Sequence, residues 1–236
     1  MDPARLNTNL LNTRRRIESA ALRARRDPDV VTLIAVTKTV NAETTQRIIE
    51  LGVTDIAENR QQSAAEKLPE VPALKEARRP TLHFIGPLQR NKIKRILEQF
   101  DVIHSVDSVK LAQEISKRAV ELSRTAGIFV QVNIAGEEQK GGFAPGEVRD
   151  SLKEILRLPR VHLWGLMCMA PYDIDPETAR PHFKALAALS RELIAGRHLP
   201  EGANRLSMGM SGDFEVAIEE GATHVRVGSA LFEGLH

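Results

Sequence analysis
Along this chain of 236 residues, short β-branched apolar runs alternate with longer stretches whose apolar residues recur every three or four positions. Strand-like runs fall at 31–37, 53–57, 82–85, 101–105, 127–134, 161–167, 204–207 and 223–227. Helical spacing occupies 42–51, 59–67, 89–100, 108–124, 145–156, 177–194 and 213–220. The clearest helix places Phe183, Leu186, Leu189 and Leu193 on one face and is stopped by Gly196. Ahead of the first strand, Leu6, Leu10, Ile17 and Ala21 at helical spacing, with arginines between them, predict a further helix that ends at Asp27-Pro28.

Antiparallel strands can be joined by tight turns, whereas parallel ones need crossovers, so this alternation predicts a parallel sheet with helices outside it. About eight such units in roughly 200 to 250 residues is the size of a closed barrel. The expected fold is α/β, a (β/α)8 TIM barrel with an extra N-terminal helix, forming a single domain over residues 1–236. A doubly wound open sheet competes with it, but no G-x-G-x-x-G follows the first strand. Residues 68–80 read as an irregular connection, because the alternation resumes directly after them.

Composition narrows the function more than the fold. At 42% hydrophobic, 27% charged and 4% aromatic, the chain is that of a soluble globular protein with an aliphatic core. A net charge of +2 gives no overall field for nucleic acid or membrane, and no run approaches the ~18 apolar residues of a membrane span. The N-terminus lacks the apolar stretch of a secretion signal, so a cytoplasmic protein is expected. The single cysteine, Cys168, lies among apolar neighbours and reads as core, and the histidines show no metal-ligand spacing, so no metal is expected.

Lys38 is the first charge after the run Val31-Thr-Leu-Ile-Ala-Val-Thr-Lys-Thr39, at the strand end where α/β barrels place their chemistry. A lysine closing a buried strand is either a surface residue or a partly desolvated amine able to form an imine with a carbonyl. Leu206-Ser-Met-Gly-Met-Ser-Gly-Asp213 follows the seventh strand and Val225-Arg-Val-Gly-Ser-Ala-Leu231 closes the eighth. Small residues at both places let N–H groups turn toward an anion, in the loops where barrels most often hold phosphate. Ser211 or Asp213 is equally suited to capping a helix. By spacing alone, Arg226 reads as an arginine paired with a surface carboxylate. Asn59, in Ala57-Glu58-Asn59-Arg60, either bonds a ligand or caps the next helix, and Arg90, Lys92, Lys94 and Arg95 form a solvated basic face.

Several segments together resemble the pyridoxal phosphate homeostasis proteins, single-domain relatives of the alanine racemase barrel. They are Ala35-Val-Thr-Lys-Thr39, Glu58-Asn59, His83-Phe-Ile-Gly-Pro-Leu-Gln-Arg-Asn-Lys92, His104-Ser-Val-Asp107, Gln131-Val-Asn-Ile134, Gly165-Leu-Met167, Leu206-Ser-Met-Gly-Met-Ser211 and Val225-Arg-Val-Gly-Ser229. The resemblance spans nearly the whole chain and implies a fold-type III barrel. It makes Lys38 similar to the lysine that holds pyridoxal 5′-phosphate as an internal aldimine. It further implies that the phosphate sits on Ser207, Met208, Gly209 and Ser211 with Gly228 and Ser229, that Asn59 lies beside the ring, and that Arg226 faces the pyridine nitrogen. Lys140 is similar to a lysine that contacts a second or transferring cofactor. Two departures are Ala57, where the family often has glycine, and Leu-Phe-Glu-Gly near the end, where Phe-Gly is usual.

The resemblance implies a carrier and regulator of free pyridoxal phosphate, with pyridoxal-phosphate-dependent apoenzymes as recipients and without established turnover. An arginine carries only donors, so a contact from Arg226 requires an unprotonated ring nitrogen and weakens the ring as an electron sink. A racemase also needs a second acid/base on the opposite face. Alanine racemases take it from a further C-terminal domain, whereas this sequence stops at His236 and its one tyrosine, Tyr172, falls in the loop after the sixth strand. A monomer is expected on the same ground. The alternatives are a low-activity amino-acid racemase, a Schiff-base aldolase acting on a phosphorylated sugar, and an interaction protein using the 90–95 helix.

Overall fold
The computed structural model describes residues 2–137, 141–171 and 175–235. Eight parallel strands close on themselves in sequence order: β1 (Thr32–Val36), β2 (Asp55–Glu58), β3 (Thr81–Phe84), β4 (Val102–Val106), β5 (Ala126–Gln131), β6 (Val161–Met167), β7 (Arg205–Met210) and β8 (His224–Val227). Ala35 of β1 pairs with Ile56 of β2 on one side and with Val227 of β8 on the other, which closes the ring. The (β/α)8 barrel and its extra N-terminal helix are therefore present as expected.

Helices α2 (Ala42–Glu50), α3 (Gln61–Lys67), α4 (Ile93–Gln99), α5 (Val109–Glu121), α6 (Val148–Ile155), α7 (Pro176–Ala195) and α8 (Phe214–Glu219) surround the barrel. Caps set several of their starts: Asn41 accepts from Thr44 N–H, Ser108 from Leu111 N–H and Asp175 from Glu177 N–H. After β8 comes the four-residue α9 (Ser229–Phe232). The opening helix α1 (Pro3–Arg23) takes a place in the outer ring, packing on α8 and α9. It buries Leu6, Leu10, Ile17, Ala20 and Ala21, and ties its polar side down through Arg16–Glu215 and Arg23–Glu219. Arg180 of α7 reaches Glu219 and Glu220 at the end of α8, so three helices share one ionic seam.

The boundaries shift where local chemistry overrides pattern. Residues 89–92 are a 3-10 turn at Arg90–Lys92 that precedes α4, and Arg90, Lys92, Lys94 and Arg95 are all exposed, as a solvated face should be. β7 runs on to Met210, with a register shift between Ser207 and Met210. Gly209 adopts φ +89°, and a Cβ there would stand 2.6 Å from Ala217 Cβ and 2.9 Å from Phe214 Cα. This glycine therefore lets α8 seat against its own strand.

Most of the core lies between barrel and helices, but the barrel's inside is unusual. Next to Val102, Phe129 and Met167 it holds His83 and His104, both fully buried, and His224 at 6% exposure. His104 stacks on Phe129 with ring centroids 4.4 Å apart. Arg205 covers the Trp164 ring at 4.1 Å.

Candidate functional site
The C-terminal ends of β1, β7 and β8 meet at one rim of the barrel. Ser211 Oγ accepts hydrogen bonds there from Gly228 N–H (3.1 Å) and Ala230 N–H (3.4 Å). The N–H groups of Gly212 and Ser229 donate to no acceptor among the described residues. A Cβ on Gly228 would stand 3.2 Å from Val36 O, so the cup sits against the end of β1, and Lys38 follows two residues later. Converging N–H groups with spare donor capacity suit a phosphate. Asp213 occupies the cap position of α8, but its side chain makes no capping bond: its Oδ1 accepts from Met210 N–H at 2.6 Å, closing the turn that presents Ser211.

Lys38 itself is exposed, in a turn, and bonds no described residue. Of the two readings of Lys38, the exposed one holds, because the strand's burial ends at Thr37, one residue earlier. A lysine that is largely shielded is Lys67, at the end of α3, its side chain 12% exposed. Its Nζ donates to Thr37 O (2.6 Å), Val40 O (3.2 Å) and Glu58 Oε1 (2.5 Å). Thr37 Oγ1 donates to the same Glu58 oxygen at 2.6 Å. The turn carrying Lys38 is thus clamped at both ends by a lysine that the sequence pattern left on a helix face.

Arg226 lies inside the barrel at 4% exposure and pairs with no carboxylate, which overturns the surface ion pair read from its spacing. Nη1 donates to Ser207 Oγ (2.7 Å) and Nη2 to the Cys168 carbonyl (3.1 Å), while Nε has no described acceptor. Burial pushes the guanidinium below its ordinary value, with Cys168 and Asp213 opposing. Ser207, Met208 and Gly209 are part of β7. The Ser207 hydroxyl is fully buried and committed to His104 and Arg226, Met208 is core, and Gly209 faces α8. The rim therefore offers Ser211, Gly212, Gly228, Ser229 and Ala230.

Asn59 is half-buried beside a cleft of about 410 Å³ that Gln62, Gln89 and Lys92 also line, and its Oδ1 is buried without a partner. Arg60, not Asn59, occupies the cap position of α3. Lys140 and Tyr172 lie outside the described residues. Cys168 is fully buried, and burial pushes its thiol up to about 12, opposed by Arg226. Native protein should therefore resist iodoacetamide at pH 8 and react within minutes in urea, an order of events that alkylation followed by mass spectrometry reads directly.

His83, His104, Asp55 and Lys67 received no role from the sequence. A signal existed for the first two: each is a polar residue in the middle of an apolar strand, where a barrel tolerates only a partnered group.

Comparison with known proteins defines the class first. The profile described as "Alanine racemase, N-terminal domain" matches residues 8–235, so the chain is a barrel of the alanine racemase N-terminal class. It is 42% identical over 217 residues to the pyridoxal phosphate homeostasis protein of Aquifex aeolicus, covering 92% of each chain, and 39% identical over 224 residues to that of Pseudomonas aeruginosa, covering 95% of this chain and 93% of the relative. The chain belongs to the family of pyridoxal phosphate homeostasis proteins. PipY of Synechococcus elongatus, solved with pyridoxal phosphate bound, superposes with a TM-score of 0.79 at 34% identity, covering 93% of this chain and 99% of PipY. An alanine racemase of Clostridium difficile shares the fold at 16% identity and a TM-score of 0.72, with this chain spanning 55% of it.

Proposed function
We propose that this protein binds pyridoxal 5′-phosphate at the rim above β1, β7 and β8 and serves its homeostasis as a carrier, releasing it to pyridoxal-phosphate-dependent apoenzymes. Lys38 Nζ supplies the amine that condenses with the cofactor's aldehyde, one water leaving. Ser211, Gly228 and Ser229, with Gly212 and Ala230, receive the phosphate, and Asn59 stands beside the ring. Ser207, Met208 and Gly209 build the strand from which that cup projects.

The observation that carries the reading is Arg226. It is a buried cation without a carboxylate whose Nε has no described acceptor, and a ring nitrogen fits a group that can only donate. Bound pyridoxal phosphate supplies an electron sink to an attached amino acid. Arg226 keeps the ring nitrogen unprotonated and so weakens that sink, which favours holding the cofactor over using it. The relatives named for pyridoxal phosphate homeostasis, and the loaded PipY, support the same reading. Among the described residues no helix is long and apolar enough to cross a membrane, and we place the protein in the cytoplasm as a one-domain monomer.

Protein mixed with pyridoxal phosphate and then desalted should keep a visible absorption band that borohydride bleaches. Lys38→Ala should lose that band with its unfolding midpoint unchanged, because the lysine is exposed and unbonded. Absence of the band in the wild type, or its survival in Lys38→Ala, overturns the proposal.

A further inference from the structure
A chain of hydrogen bonds crosses the barrel interior from end to end. Asp55 Oδ1, at the first residue of β2, meets His83 Nε2 at 2.9 Å. His83 Nδ1 meets His104 Nε2 at 2.8 Å, and His104 Nδ1 meets Ser207 Oγ at 2.8 Å. Ser207 Oγ in turn receives Arg226 Nη1 at 2.7 Å. Five strands contribute one residue each, and both imidazoles are fully buried.

The two ends fix the direction of every link. Arginine only donates, so Ser207 Oγ accepts from Arg226, and its own proton turns to His104 Nδ1 because a neutral His104 whose Nε2–H points toward His83 has only that nitrogen left as an acceptor. His104 then carries its hydrogen on Nε2 and gives it to His83 Nδ1, and His83 gives its Nε2 hydrogen to the Asp55 carboxylate. Burial raises the Asp55 carboxyl, but the hydrogen bonds from His83 and Thr54 outweigh this and hold it below the usual range, so the terminal acceptor is ionised. Reversing the chain would require a protonated Asp55 or a second hydrogen on a buried histidine.

We infer that Asp55, His83 and His104 are positioning residues for Arg226: the one-way relay anchors its guanidinium to Ser207 and leaves its free donors aimed at the ring nitrogen of bound pyridoxal phosphate. The inference rests on the cofactor reading above. It assigns a ligand-binding consequence to Asp55, a residue at the barrel end opposite Lys38.

Two measurements test it. Nitrogen-15 NMR of the holoprotein should show His83 and His104 each protonated on Nε2 alone, and a hydrogen on Nδ1 of either overturns the relay. Asp55→Leu removes the terminal acceptor, whereas Asp55→Asn keeps an oxygen for His83. The leucine variant should mix the histidine tautomers and release pyridoxal phosphate about tenfold faster, while the asparagine variant should match the wild type in both readouts. Equal release from all three, with the wild type binding normally, overturns the inference alone. Failure of the wild type to bind overturns the cofactor reading, and with it the ligand end of the relay, whatever the tautomers. Should the leucine variant not fold, His104→Gln takes its place under the same release criterion.

Discussion

Acidification from pH 7.5 to pH 5 is expected to remove about 2 kcal/mol of folding stability through His224 inside the barrel, with His104 adding to the loss. Burial, reinforced by His83 and Arg205 and opposed by Asp55, pushes His224 down to about 3. Burial, with His83, Arg226 and His224 adding to it, holds His104 well below its ordinary value. In the unfolded chain both titrate near about 6.5. Above that pH neither state binds the protons and the full stability is present. Below it the unfolded chain takes up two protons that the fold refuses, and each costs about 1.4 kcal/mol per pH unit. The loss continues until the native histidines themselves titrate, near 3 for His224. Urea unfolding at pH 7.5, 6.5 and 5 should show the midpoint falling at constant slope, and His224→Phe should reduce the pH dependence by about 2 kcal/mol. A midpoint that is flat from pH 7.5 to pH 5 would mean that the imidazoles accept protons in place.

The same interior explains how much of this protein was legible in its sequence. β1, β3, β4, β6 and β8 lie within a residue or two of their expected positions; β1, β4 and β8 are rich in β-branched residues, while β3 and β6 are marked by leucine and aromatic side chains. β7 was read short, because Ser207-Met-Gly-Met has neither β-branching nor clean alternation and bends at a bulge. The rim was foreseen from small residues after strands seven and eight. Its membership shifted toward Ser211 and Gly228 because the longer β7 draws Ser207 into the barrel. What stayed hidden depends on partners far apart in sequence. His104 looks like an isolated polar residue until Ser207, 103 positions later, folds beside it. Arg226 looks like a surface charge until Cys168 and Ser207 close around it.

Lys67→Met is expected to destabilise the fold by about 3 to 5 kcal/mol, the cost of removing one partner of a buried ion pair. Glu58 is 1% exposed and Lys67 only 12%, so water replaces little of what the substitution removes. The Glu58 carboxylate would keep one donor from the clamp, Thr37 Oγ1, and Thr37 O and Val40 O would lose the Lys67 ammonium. The double variant Glu58→Gln/Lys67→Met removes the stranded charge as well. It should recover more than half of the loss, because an uncharged amide is far cheaper to bury than a carboxylate. The turn between β1 and α2 should nevertheless remain loose in both variants, since neither restores a donor to its two carbonyls. Stability and ligand capture therefore separate: urea midpoints should rise from the single to the double variant, while the rate of pyridoxal phosphate uptake at Lys38 stays depressed in both. A cost below about 1 kcal/mol for Lys67→Met would mark the pair as solvated and its contribution as that of an ordinary surface bridge. Uptake that recovers together with stability would show that the exposed turn needs no clamp to present its lysine.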